Sequence, residues 1–400
     1  MANKITWPLA VSTFTFWDKL KIGAFLFREP IWTYGKWVKQ YEEMWEKKFN
    51  LKHAIMVSSG STANELIALR RKYELQEAGL WPKKNKVIFP VNTWISSVSV
   101  WINFGFEPIF VDVEKETLNV NSVKIEEALK KNPDVGTVFY TTLLGFFDDI
   151  IESKKITEEY DAKFYIDNCE SSFSYYCPKN GSHQSILKLA TSSTSIFFSH
   201  LTMSGTEGGL IFTESDEEDD WFRMARSHGL TRGMHSKYHN SNVHPDFDFY
   251  LLGSNYRSSN LQAYMASLDF ERAYDFSNER QAIFCALNYG LSIKKYHAIF
   301  DSNNPNDYDE NMYCPLAIPI ICRTKEQRIK VEAFLRGKGV VTRPLIGGCL
   351  LAHTAFKKYG DINNFPIAKQ LHDFALYIGL NKSITVKMAK KLAEELNSLE

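Results

Sequence analysis

The chain has 400 residues, more than one hydrophobic core usually serves, so two domains with ample buried apolar surface are expected, without disulfide or metal staples. Lys plus Arg and Asp plus Glu each total 47. With zero formal net charge there is no global field to attract nucleic acid or an acidic membrane, and any anionic ligand has to be held by local groups.

The first segment, MANKITWPLAVSTFTFWDKL, lacks the basic cluster, long apolar run and small-residue cleavage site of a secretory signal. No window reaches membrane-spanning length, and a cytoplasmic location is expected. From about residue 53 the runs HAIMV, KVIFP, PIFVD, GTVFY, KFYID, TSIFF and GLIFT alternate with segments of helical length. Near-continuous apolar strands of this kind are buried on both faces, which predicts an α/β architecture: a mainly parallel sheet between helices, with the site on loops at the strand ends. After about residue 255 the rhythm changes. A long helical stretch, NLQAYMASLDFERAYDFSNERQAIFCALNYG, leads to further strands in YCPLAIPIIC and VVTRPL. These predict a large domain over 1–255 and a linking helix with a smaller C-terminal domain over 256–400. Asp301 to Asn311, rich in Asn, Asp and Pro, reads as a loop. The six cysteines (Cys169, Cys177, Cys285, Cys314, Cys322, Cys349) lack the spacing of a metal or redox motif, so buried reduced thiols and no metal are expected.

Four motifs carry chemistry. Val57-Ser58-Ser59-Gly60-Ser61-Thr62-Ala63-Asn64 follows a strand and opens a helix; it either holds a phosphate or is an ordinary Ser-capped turn. Trp94, in PVNTWISS, either stacks on a flat ring or fills core. Asp167 ends a strand before Asn168-Cys169-Glu170-Ser171, where a carboxylate either bonds a protonated pyridine nitrogen or caps a helix. Finally, SIFFSHLTMSGTEGG (Ser195 to Gly209) runs from a strand into a turn containing His200, and a lone histidine is usually structural.

In this order the motifs resemble the DegT/DnrJ/EryC1/StrS sugar aminotransferase family over nearly the whole chain. TYGKWVKQYEEMWEKKF, FVDVEKETLNV, LLGF near Gly145, RSHGLTR (Arg226 to Arg232) and GSNYRSSNLQA (Gly253 to Ala263) add to the resemblance. It implies the fold type I of pyridoxal-phosphate enzymes: a large domain with a mainly parallel, mixed seven-stranded sheet, an N-terminal arm and a smaller C-terminal α+β domain. Ordinary members carry, after the SIFF-like strand, a lysine that bonds covalently to the cofactor. Here no lysine lies between Lys188 and Lys237, and His200 is the nearest candidate catalyst. The pattern is similar to the branch of the family that acts on GDP-4-keto-6-deoxymannose as a 3-dehydratase, which also has Ser-His at this point.

An imidazole moves protons but cannot bond to an aldehyde as an amine does. The resemblance therefore implies non-covalent pyridoxal 5'-phosphate and pyridoxamine 5'-phosphate, with L-glutamate as amino donor and His200 serving both proton steps. It assigns Gly60, Ser61 and Ser195 to the phosphate, Trp94 to ring stacking, Asp167 to the pyridine nitrogen, and Thr62 and Glu170 to the cofactor. Asn255 would reach the phosphate of a neighbouring subunit in a homodimer with its site at the interface. His228, Arg232, Arg257 and Arg343 would bind the nucleotide-linked sugar. The implied activity removes the 3-hydroxyl of a nucleotide-linked 4-keto-6-deoxy hexose or heptose, with GDP the expected nucleotide, for dideoxysugar and surface-polysaccharide synthesis. The alternatives are a sugar-nucleotide 4-aminotransferase and a non-catalytic sugar-nucleotide binder. The chain departs from the pattern in a His200–Glu207 turn one residue longer, Leu201 for a second histidine, Ser254 for a tyrosine and Cys349 for an asparagine.

Overall fold

Alternating strands and helices assemble into a seven-stranded sheet in the computed structural model, which describes residues 6–178, 181–201, 206–300 and 311–399. In chain order its strands are β1 (His53–Val57), β2 (Lys86–Pro90), β3 (Glu107–Val111), β4 (Val135–Thr141) and β5 (Lys163–Asp167). A short hairpin, β6 (Tyr175–Tyr176) and β7 (Gln184–Ser185), precedes the last two, β8 (Ser192–Ser195) and β9 (Gly209–Thr213). The order across the sheet is β1-β9-β8-β5-β4-β2-β3; β9 runs against both its neighbours and the other pairings are parallel.

Strand side chains alternate between two helical layers, as the two-residue period demands. Ile55 and Val57 pack with helices α3 (Gly60–Glu77), α4 (Ile95–Asn103) and α7 (Asp216–Ala225). Ala54 and Met56 face the opposite layer, where α2 (Lys36–Phe49) meets the 29-residue α8 (Asn260–Asn288). Helices α5 (Ser122–Lys131) and α6 (Ile150–Glu159) complete that side beneath Ile88, Val138 and Ile166. Beyond α8, strands β10 (Tyr296–His297), β11 (Ala317–Cys322), β12 (Thr342–Pro344) and β13 (Ala375–Gly379) form an antiparallel sheet in the order β10-β11-β13-β12. Helices α9 (Lys325–Gly337), α10 (Pro366–Phe374) and α11 (Val386–Asn397) accompany it, and its core is continuous with that under the large sheet.

One strand lies elsewhere than its hydrophobicity suggests. The TSIFF run predicts a strand over 194–198, yet β8 is the polar stretch Ser192–Ser195. Pairing decides this: β5 ends at Asp167, opposite Ser193, so Ile196 to Phe198 have no β5 partner. The buried hydroxyls are satisfied, Ser192 Oγ by Leu187 O (3.1 Å), Thr194 Oγ1 by Asn168 O (3.3 Å) and Ser193 Oγ by Asn64 Oδ1. The expected Asp301–Asn311 loop lies, apart from Asn311, outside the described residues. Cys177, Cys314, Cys322 and Cys349 are buried and Cys169 and Cys285 half-buried.

The N-terminal arm is stitched to the C-terminal sheet. Trp7 is fully buried; its indole donates to Gly379 O (2.7 Å), and its backbone exchanges bonds with Gly339 and Val341 (3.1 and 2.9 Å). Asn381 Nδ2 donates to Pro8 O at 2.8 Å. Thr13 Oγ1 donates to Asp269 Oδ2 on α8, and Thr15 caps α1 (Phe16–Arg28). Gly379 is glycine because of this crossing: a Cβ there would meet Pro8 O at 2.3 Å and Leu9 Cα at 2.5 Å, backbone atoms that cannot turn aside. Gly379→Ala should destabilise the fold by about 1–3 kcal/mol, read as a lower thermal midpoint; an unchanged midpoint would show that the arm is not held in this place.

Candidate active site

The C-terminal ends of β1, β2, β4, β5 and β8 reach one edge of the large sheet, where a cavity of about 300 Å³ opens. Its large-domain side is mostly polar: Ser59, Gly60, Ser61, Trp94, Ser96, Ser97, Thr141, Asp167, Cys169, Glu170, Ser195, Ser199, His200 and Glu207, with Leu143 and Phe197 among them. The facing wall is mostly apolar, built from Leu9 of the arm, Leu316 and Ala317 of the β11 edge, Ile346, and Tyr377 and Gly379 of β13.

At the start of α3, Ser59 and Thr62 form a capping box: Thr62 N–H donates to Ser59 Oγ (3.1 Å) and Ser59 N–H to Thr62 Oγ1 (3.0 Å). The amides of Gly60 and Ser61 precede the first intrahelical bond and are left for a ligand. Strands β8 and β9 press on this turn. A Cβ at Gly60 would lie 2.7 Å from Cys169 Sγ and 2.9 Å from Ser195 Cβ, and one at Gly209 would strike Ser59 backbone at 2.4 Å. The result is a close-walled anion cradle rather than a free helix start.

Asp167 is 4 % exposed and held rigidly. Its Oδ2 accepts from Asn64 Nδ2 and Ser97 Oγ, both at 2.7 Å, and its Oδ1 from Cys169 N–H at 3.1 Å. Trp94 projects an indole that is 53 % exposed at the cavity, whereas Trp7, Trp45 and Trp101 are fully buried. Glu170 is buried; its Oε2 accepts from Leu144 N–H at 2.6 Å, which holds Leu144 in a left-handed conformation (φ 54°). Burial, reinforced by the Asp167 carboxylate, pushes the Glu170 carboxyl up to about 8.

His200 enters the cavity despite its longer turn, set by a bond from its own N–H to Phe197 O (2.8 Å) and by edge-on contact with the Phe197 ring at 5.6 Å. Its Nδ1 is buried without a partner among the described residues, so Nε2 is the nitrogen left to the cavity. Desolvation pulls the imidazole down to about 4, against the opposing pull of Asp167. It is therefore neutral at pH 7 and able to accept a proton.

Gly60, Ser61, Trp94, Asp167, Glu170, Ser195 and His200 thus converge. Thr62 is at the same turn, but its hydroxyl is spent on the cap. Asn255, His228 and Arg232 are exposed and line no part of their own chain's cavity. Segment 255–257 runs beside the end of β1: Asn255 pairs with Ser227, Ser58 N–H donates to Tyr256 O (2.9 Å), and Arg257 pairs with Val57. Arg343 is exposed on β12 opposite Tyr377, next to the apolar wall. No Lys or Arg is among the described residues that line the cavity. Sequence reasoning missed Asn64 and Ser97, although each follows a motif residue (Gly60, Trp94) by one helical turn. It also missed Leu9 and Tyr377, for which no local signal exists.

The profile described as DegT/DnrJ/EryC1/StrS aminotransferase family matches residues 24–397. The chain belongs to this family. A curated relative, GDP-4-keto-6-deoxy-D-mannose 3-dehydratase of Escherichia coli O55:H7 (strain CB9615 / EPEC), is 28% identical over 386 residues, covering 94% of this chain and 95% of its own. Among solved structures, the E. coli GDP-4-keto-6-deoxy-D-mannose-3-dehydratase with bound hydrated PLP superposes with a TM-score of 0.83 at 26% identity, over 98% of this chain and 99% of that one. A variant of such a dehydratase with histidine replaced by asparagine, bound to GDP-perosamine, gives 0.82 at 26% identity, over 98% and 100%. The aminotransferase fold of this family accounts for the seven-stranded mixed sheet and places the cavity at its switch edge. What the cavity offers fits a flat, cationic heteroaromatic ring with a phosphate tail: an exposed indole, a rigid carboxylate and the Gly60 cradle.

Proposed function

We propose that this chain is a pyridoxal/pyridoxamine-phosphate-dependent 3-dehydratase of a nucleotide-linked 4-keto-6-deoxy sugar, with GDP the expected nucleotide and L-glutamate the amino donor. The observation that carries this reading is a neutral histidine, in place of a lysine, entering a cavity that Gly60, Ser61, Trp94, Asp167 and Ser195 also line. Relatives named as 3-dehydratases over nearly the same length support it. The cofactor, when bound, supplies an amine and an electron-withdrawing ring.

The chain's own residues do the rest. Gly60, Ser61 and Ser195 would hold the phosphate, Trp94 would cover the ring, and Asp167 Oδ1 would face the ring nitrogen. His200 takes a carbon-bound proton through Nε2. The apolar wall from Leu9 to Tyr377 limits water, which strengthens each of these polar contacts. A cavity whose described lining includes Asp167, Glu170 and Glu207 and no Lys or Arg cannot by itself neutralise a diphosphate. A homodimer solves this: exposed Asn255, His228 and Arg232 of a second copy complete the phosphate and sugar-nucleotide contacts, with Arg343 at the rim and Arg257 behind the β1 turn. No helix among the described residues is long and apolar enough to cross a membrane. A cytoplasmic enzyme built from a 1–255 large domain and a 256–400 smaller one is the arrangement we propose.

Incubation with pyridoxamine phosphate, glutamate and GDP-4-keto-6-deoxymannose should release one ammonia per 3-deoxy-4-keto product. A stable 4-amino sugar with its 3-hydroxyl intact would replace this reading with a 4-aminotransferase. Borohydride treatment followed by dialysis should leave no cofactor attached to the chain, since no lysine is among the described residues that line the cavity; retained pyridoxyl absorbance on a peptide would refute the non-covalent site.

A further inference from the structure

Arg280, on α8, is fully buried and lies behind the cavity rather than in it. Among the described residues no carboxylate pairs with it, and its Nε and Nη2 have no hydrogen-bond partner. The Phe276 ring lies 5.1 Å from the guanidinium carbon, and burial pulls the group down to about 10. A charge held in this way costs stability, and an apolar side chain of similar volume would fill the place at less cost. What such a side chain could not supply is the donor: Nη1 bonds Pro315 O at 3.1 Å and Leu316 O at 3.3 Å. Both carbonyls precede the ladder, since pairing of β11 with β13 begins at Ala317. The segment is tied on its other side as well, by Cys314 N–H to Ser174 Oγ and by Leu316 N–H to Leu144 O, both at 2.9 Å. Gly145 fits against it only as glycine, at φ 95°, because a Cβ would meet Cys314 O at 2.5 Å. From these two strips of chain Leu316 and Leu143 enter the cavity.

We propose that Arg280 is a positioning residue: from behind, it sets the Leu316 edge of the substrate wall and, through Leu144, the turn that carries Leu143. Only the identity of what the wall meets, the 4-keto sugar, rests on the dehydratase reading. Without Nη1 the two carbonyls face a dry core with no donor, and the segment has to turn to satisfy them, taking Leu316 with it. The same helix holds two other parts of the chamber. Gln262 Nε2 donates to Glu207 O at 3.0 Å, beyond the His200 turn, and Asp269 accepts from Thr13 of the arm that carries Leu9. The wall, the arm and the His200 turn are thus referred to one rigid element, and a buried unpaired charge is retained for the geometry that it imposes.

Arg280→Lys and Arg280→Met separate this role from core filling. Both bonds come from one nitrogen, so a lysine ammonium can restore them, whereas methionine fills the space and donates nothing. The first readout is hydrogen exchange of the ligand-free protein. In Arg280→Met, peptides spanning 143–146 and 313–318 should exchange about tenfold faster while those of the large sheet are unchanged, and Arg280→Lys should stay within about threefold of wild type. The second is steady-state kinetics of the cofactor-loaded enzyme. For Arg280→Met the KM for GDP-4-keto-6-deoxymannose should rise about tenfold with kcat within about threefold, because the wall binds the sugar without moving protons, and Arg280→Lys should keep both values. Faster exchange throughout the chain, a methionine variant that does not fold, or a lysine variant that behaves like the methionine one would make Arg280 a core residue and overturn the proposal. Unchanged exchange in the two named segments, or local loosening with an unaltered KM, overturns it as well. A wild type that dehydrates no 4-keto sugar overturns the dehydratase reading alone, since exchange in the ligand-free protein still decides what Arg280 holds.

Discussion

His200→Asn should lower dehydration by at least about 10³-fold while cofactor and sugar-nucleotide affinities stay within about threefold. Asparagine approximates the imidazole's size and keeps a polar tip, so the Phe197 contact and the cavity shape persist, but its amide neither accepts nor releases a proton in the way a general base must at neutral pH. The buried Nδ1 has no partner among the described residues, so its removal orphans nothing. The same substitution has a stability signature whose sign follows from the depressed imidazole. An unfolded chain binds a proton at this histidine below about 6.5, the folded chain only below about 4. Stability from this group is therefore complete above about 6.5 and falls as pH drops toward 4. Denaturant midpoints across that window should fall more steeply for wild type than for His200→Asn. Parallel curves would show that His200 is solvated, and equal turnover by the variant would remove it from the chemistry.

The second large effect is expected at Asp167→Asn. Two donors, Asn64 Nδ2 and Ser97 Oγ, converge on Oδ2, which obliges the new amide to keep its oxygen there. Its NH2 then occupies the Oδ1 position, facing the Cys169 N–H and the place of a protonated ring nitrogen, a donor set against donors. Loss of the charge and reversal of the hydrogen-bond sense together should weaken cofactor binding by about 10²-fold, measured by titrating ring absorbance. The fold should survive, because Asn64 and Ser97 remain satisfied. Undiminished binding would mean that another group holds the ring nitrogen.

Much of this site was legible because its parts sit at strand ends. A run such as KVIFP or KFYID buries both faces, can only be an interior strand, and so delivers its next residues to the sheet edge. That is how Trp94, Asp167 and the Gly60 turn were found. The polar strand Ser192–Ser195 defeated the same reasoning, since its burial depends on hydroxyl partners from Leu187, Asn168 and Asn64 that no local pattern reveals. Leu9 and Tyr377 were illegible for a different reason: their place opposite His200 depends on how the arm and β13 pack, across nearly the length of the chain. Of the residues expected to bind the sugar nucleotide, His228, Arg232 and Arg343 are exposed and none of the four, Arg257 included, lines this cavity.

The crossing of Leu9 over Gly379 ties together two segments that lie 370 residues apart in the chain. During synthesis Trp7 and Pro8 emerge long before the groups that receive them, the backbones of Gly339, Val341 and Gly379 and the side-chain amide of Asn381. The large sheet and the phosphate cradle can form while the chain is still growing, but the wall facing His200 cannot. A chain that stops after α8 but before residue 379 therefore has every strand of the large sheet yet lacks the part of the wall that Tyr377 and Gly379 supply, and its chamber stays open.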